Sequence, residues 1–107
     1  MTVGKILELF DSFKSNELCD MVKIGWISDV EGRILCEIHN IPFEKAVLPK
    51  GSEDSLTLSE SYARVYLLYM AAMAEFVDGD YSAYTKINGE FESALAMYAR
   101  YYIRNRA

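Results

Sequence analysis

The sequence predicts an all-α protein, a small bundle of about four helices with a C-terminal antiparallel hairpin and a long central loop. Three observations predict it. Apolar residues recur at steps of three and four along most of the chain, the spacing that lines one face of a helix. A single turn signal, Asp78-Gly79-Asp80, separates two tyrosine-rich periodic runs. Proline and glycine punctuation gathers between residues 40 and 58, where periodicity fades.

The first short helix starts at Thr2, whose hydroxyl suits an N-cap, and Ile6, Leu7, Leu9, Phe10 and Phe13 give it a wide apolar face. Lys14-Ser15-Asn16 reads as a break, with Ser15 or Asn16 available to cap the second helix. From Glu17 to about His39 the pattern is mostly helical. Ile27, Val30, Ile34 and Ile38 supply the stripe, with Trp26 beside it. Gly25 is placed to split this segment, and Gly32 to mark a close helix approach; each costs about 1 kcal/mol relative to Ala in a helix.

Pro42 and Pro49 break any helix across Asn40 to Leu58, and residues 50–55 read as a solvated turn. Ile41, Phe43, Val47 and Leu48 suggest that this loop packs on something, and a connection of this length is either functional or disordered. Thr57-Leu58-Ser59-Glu60 has capping-box spacing, which starts the third helix at Thr57. In that helix Tyr62, Tyr66, Tyr69, Met73 and Phe76 lie one turn apart. Gly79 can adopt the left-handed conformation that stops it, and Asp80 can cap the fourth helix. That last helix is the longest, about Tyr81 to Arg104, striped by Tyr84, Ile87, Phe91, Leu95 and Tyr98. Phe91 is expected to anchor the hairpin against Tyr69 and Met73.

At 107 residues the chain, 1–107, forms one domain with a modest core. Its eight tyrosines outnumber its five phenylalanines, and tyrosine buries a ring while keeping its hydroxyl at a wet edge. Filling a small core and lining a subunit interface are equally good uses of such rings. A net charge of −5 argues against a freestanding duplex-DNA binder, which needs a basic face. The cluster Arg100, Arg104 and Arg106 complements the negative end of the last helix dipole. Two cysteines, Cys19 and Cys36, are too few for a disulfide scaffold and read as reduced, buried thiols. No stretch approaches ~20 uninterrupted apolar residues, so no membrane span is expected. The N-terminal run lacks the pattern of a secretory signal, which points to synthesis and retention in a cytoplasm.

An enzyme is not expected, because the inventory of reactive groups is thin. His39, the single histidine, stands at the expected end of a helix with no evident orienting group or companion ligand. The cysteines form no CxxC pair, there is no phosphate-binding glycine loop, and Asp78-Gly79-Asp80 is too short to hold calcium. Asp29/Glu31 and Glu90/Glu92 sit two apart, on different helix faces, and read as solvated charges. Glu75 is placed to pair with a base such as Lys86, or to lie exposed. No catalytic, cofactor-binding or metal-ligating residue is assigned.

One resemblance covers most of the chain outside 40–58. Between Tyr69 and Tyr102 a helix rich in Tyr, Leu and Ala ends in Glu75, then Phe76-Val77 and the turn Asp78-Gly79-Asp80-Tyr81. Tyr84 and Phe91 come next, and Tyr98-Ala99-Arg100-Tyr101-Tyr102 closes the run. Upstream, Trp26-Ile27 precedes Glu31-Gly32-Arg33-Ile34. These features resemble the small helical head–tail connector, or adaptor, proteins of tailed phages and prophages. Thr85-Lys86-Ile87-Asn88-Gly89 departs from the polar stretch usual in that family. The resemblance implies a non-enzymatic structural protein of the virion neck, made in the bacterial host cytoplasm. Its partners would be itself, in a homo-oligomeric ring, together with portal and tail or neck proteins. DNA would be passing cargo. The alternative is a small helical interaction or regulatory module unrelated to virions.

Overall fold

Four α-helices carry the architecture: α1 (Val3–Phe13), α2 (Asp20–Arg33), α3 (Ala63–Val77) and α4 (Tyr81–Arg104). The computed structural model describes residues 1–106, and the Phe13 side chain, expected on the apolar face of α1, lies outside the described residues. A π-helical turn, Ile34–Ile38, extends α2, and two 3-10 turns occupy Phe43–Lys45 and Glu60–Tyr62. Among the described residues there is no strand, only an isolated antiparallel bridge between Thr2 and Ser55.

Local chemistry explains where the helices begin and stop. The Thr2 hydroxyl accepts from the Lys5 amide at 3.3 Å, as an N-cap should. At the hairpin turn Gly79 adopts φ +85°, the Gly79 amide donates to the Phe76 carbonyl, and the Asp80 amide donates to that of Glu75. Those two bonds with a left-handed glycine form a Schellman stop. Asp80 then accepts from the Ala83 amide at 3.0 Å and opens α4. The α2 extension ends differently. The His39 amide reaches back five residues to the Ile34 carbonyl, and Asn40 takes φ +57°, a conformation that asparagine tolerates better than most residues.

α3 is the shared wall of the bundle, packing on α1, α2 and α4. The core joins Ile6 and Phe10 of α1, Ile27 and Val30 of α2, Tyr66 and Met70 of α3, and Phe91 of α4, all fully buried. Each such side chain contributes about 1.5–3 kcal/mol through burial. Ring contacts set the antiparallel register of α3 and α4. Phe76 meets Tyr81 and Tyr84 near the turn, Tyr69 meets Phe91 midway at 5.1 Å, and Tyr62 meets Tyr98 and Tyr101 at the far end.

Several expectations are corrected. α2 begins at Asp20 rather than Glu17, with Cys19 as its N-cap residue, so neither Ser15 nor Asn16 caps it. Asn16 instead folds the connection, donating to Asp11 and to the Lys14 carbonyl and accepting from the Leu18 amide. Gly25 does not split α2, because the tertiary packing of Trp26, Ile27 and Val30 outweighs its low helix propensity. Gly32 faces Leu48 of the loop rather than another helix. Cys19 is exposed and Cys36 only half-buried. Thr57 caps nothing, since α3 begins six residues later, after the 3-10 turn.

The central loop is held at its downstream half. The Val3 amide donates to the Asp54 carbonyl, Gly4 to Ser52, and the Leu56 amide to the Met1 carbonyl. Leu56 and Leu58 are buried in the core, whereas Phe43 and Val47 are 73% and 86% exposed.

Candidate functional site

Two charged side chains of α2 are buried, although neither belongs to a recognisable motif. Glu31 is 3% exposed and Lys23 likewise. Spacing places both on the apolar face: Lys23, Ile27, Val30 and Ile34 succeed one another at steps of three and four, and Glu31 lies four beyond Ile27 and three before Ile34. That periodicity is the signal in the sequence that marks them. Pairing Glu31 with Asp29 alone conceals it.

Glu31 joins three segments. The Thr57 amide and hydroxyl donate to its Oε2 at 2.9 and 2.7 Å, and the Tyr66 hydroxyl donates to its Oε1 at 2.7 Å. Tyr66 in turn accepts from the Leu58 amide at 3.3 Å. Burial, followed by the Glu31 charge, pushes the Tyr66 hydroxyl far above its ordinary pKa, so it remains a proton donor. The clasp fixes the downstream end of the loop against α2 and α3. Every buried polar side-chain atom among the described residues has a partner.

Lys23, nearer the start of α2, ties that helix to α1 and to the connection between them. Its ammonium meets Asp11 at 2.9 Å and Asp20 at 3.5 Å, and it donates to Asn16 at 3.3 Å. Burial works to lower its pKa, but the hydrogen bond to Asp11 and the two carboxylate charges outweigh that and raise it. The hydrogen bonds from Lys23 and then Asn16 hold Asp11 below its ordinary value. Glu75 pairs with Lys14 at 2.9 Å, not with Lys86, and so ties the α1–α2 connection to the end of α3. Arg33 grips both carboxylate oxygens of Glu92 at 3.1 Å, bonds Glu37, and lies 5.5 Å over the Phe91 ring. Glu92 is thus an ion-pair partner rather than a purely solvated charge.

His39 also has a partner that linear spacing could not reveal. Its Nε2 lies 2.8 Å from the Tyr98 hydroxyl, and its ring stacks on Tyr102 at 4.1 Å. Burial lowers its pKa, with the Glu31 charge opposing. Tyr98 and Tyr102 both stack on it, and Tyr98 extends the aromatic cluster to Tyr62 and Tyr101 at the far end of the hairpin. This arrangement orients the imidazole through a tyrosine rather than a carboxylate. Among the described residues, no three His, Cys, Asp or Glu side chains converge as metal ligands.

No family model, curated protein or solved structure matches this chain. No described helix is long and apolar enough to cross a membrane. Phe76, Val77 and Tyr81 stand 47%, 57% and 61% exposed around the hairpin turn. Met97, Tyr101 and Ile103 stand 60%, 43% and 65% exposed near the end of α4. Both groups lie on the α3–α4 hairpin.

Proposed function

We propose that this chain is a non-enzymatic structural subunit of the head–tail connector of a tailed phage or prophage. It assembles with copies of itself beneath the portal, joins head to tail and helps to retain DNA. One observation carries the reading. The turn motif that resembles the connector family uses its polar members and its glycine for folding: Glu75 pairs with Lys14, Gly79 stops α3 and Asp80 starts α4. Its apolar members, Phe76, Val77 and Tyr81, are left largely at the surface. Apolar side chains gathered at a surface are supported best by contact with another protein.

The test is a phage or prophage whose copy of this gene is deleted, examined by electron microscopy and plaque assay. Unstable or tailless heads are the expected result, with rings visible when purified protein is mixed with portal. Normal, infectious particles without the gene would overturn the assignment. The interaction-module alternative predicts that outcome, and a genomic setting away from portal, capsid and tail genes.

A further inference from the structure

We infer that the two ends of the α3–α4 hairpin dock head to tail between copies of this chain. The inference rests on the self-assembly in the proposed function and names the surfaces that perform it. At the turn end, Phe76, Val77 and Tyr81 are flanked by exposed Asp78 and Asp80. Lys14, which lines the cavity beside Asp78, is engaged by Glu75, and Glu17 adds a further negative charge there. That end is apolar with a surplus of negative charge.

The opposite end has the reverse sign. Exposed Met97, Tyr101 and Ile103 are interleaved with exposed Arg100, Arg104 and Arg106. Beside them a shallow groove of ≈ 150 Å³ runs between the start of α3 and α4, lined by Arg64, Val65, Ala94 and Met97 among others. Glu60, in the 3-10 turn before α3, offsets only part of this positive charge. The groove offers apolar walls to a ring and a guanidinium to its face.

These two ends cannot satisfy each other within one molecule. The rise of α4 holds Tyr81 roughly 24 Å from Met97, about three screening lengths at physiological salt, where that length is about 8 Å. A second copy supplies both the opposite charge and the matching apolar area. Tyr81 of one copy then enters the groove of the next, with Asp78 and Asp80 against Arg100 and Arg104. Such a contact uses different surfaces on the two molecules, so its repetition builds a ring where the rotation closes and an open filament where it does not.

Sedimentation velocity of the purified full chain tests this. The wild-type chain should associate as concentration rises, and raising salt from about 0.05 to about 0.5 M should weaken the association. Asp78→Arg, or Arg100→Glu with Arg104→Glu, should each weaken it at least about tenfold by placing like charges together. Mixing the two variants should restore it, because each then presents the charge that the other lacks. Circular dichroism checks that both stay folded, and the wild-type salt dependence tests the contact without any substitution. Association indifferent to salt and to both charge reversals would overturn the head-to-tail contact while leaving self-assembly standing. A chain that stays monomeric at all concentrations would overturn the inference as well. Charge-dependent association together with normal virions in the deletion would leave the contact standing and remove the connector reading.

Discussion

Glu31 shows how much one side chain can organise. Its two oxygens take three donors from Thr57 and Tyr66, and Tyr66 also serves the Leu58 amide. Tyr66→Phe keeps the buried ring but strands that amide and one carboxylate oxygen. It should cost about 1–3 kcal/mol in urea melts, the penalty for buried groups left unpaired. Tyr69→Phe is the control, because its hydroxyl meets exposed Asp29 at 3.4 Å and should change stability by less than about 0.5 kcal/mol. His39 makes a second residue-scale prediction. Burial lowers its folded pKa below 6.5, so folding favours the neutral ring. The resulting stability is complete above pH 6.5 and is lost as pH falls through the lower folded value. Thermal melts between about pH 8 and about pH 5 should therefore fall more steeply for the wild type than for His39→Gln. Parallel pH profiles would show that His39 is not the group responsible.

At the scale of elements, the hairpin obeys local rules and the loop does not. Gly89 and Gly79 make the contrast measurable. Gly89 lies inside α4 with nothing within 4 Å of an added Cβ, so Gly89→Ala should stabilise by about 0.5–1 kcal/mol. Gly79 at φ +85° is required by the Schellman turn, and Gly79→Ala should destabilise by about 1–2 kcal/mol. Denaturant melts of the two variants should move in opposite directions; movement in the same direction would contradict this account of α4 and its turn. The start of α3 is the opposite case. Thr57 and Glu60 have the spacing of a capping box, yet the buried Glu31 carboxylate takes both Thr57 donors, and a bend and a 3-10 turn precede α3 instead. A long-range hydrogen bond to a buried carboxylate outweighs a local cap that water could replace.

For the whole molecule, sign and distribution of charge matter more than shape. The chain extends 42 × 29 × 25 Å and carries a net charge of −5. In the proposed ring that charge would repeat with every subunit, so DNA would pass a largely repulsive wall. Isolated protein should accordingly bind duplex DNA more weakly than about 10⁻⁶ M at physiological salt, by fluorescence anisotropy. Tight, strongly salt-dependent binding would show instead that the arginines of α4 form a nucleic-acid surface.

The amino-acid sequence by itself determined the helical class, the hairpin and the bounds of α4, because these depend on neighbours within a few residues. Periodicity chooses a face, a left-handed glycine ends a helix, and an aspartate begins one. It also placed Phe91 in the core against Tyr69, as its stripe required. Only the tertiary structure decided the partners of the charged and polar groups. Glu75 meets Lys14 across 61 positions, His39 meets Tyr98 across 59, and Thr57 meets Glu31 across 26. Charge and hydrogen-bonding capacity are written in each residue, but which groups share a dry site depends on how helices distant in sequence pack together. The exposure of Phe76, Val77 and Tyr81 was decided in the same way. Phe76 continues the stripe of Tyr62, Tyr66, Tyr69 and Met73, yet at the end of α3 it stands 47% exposed.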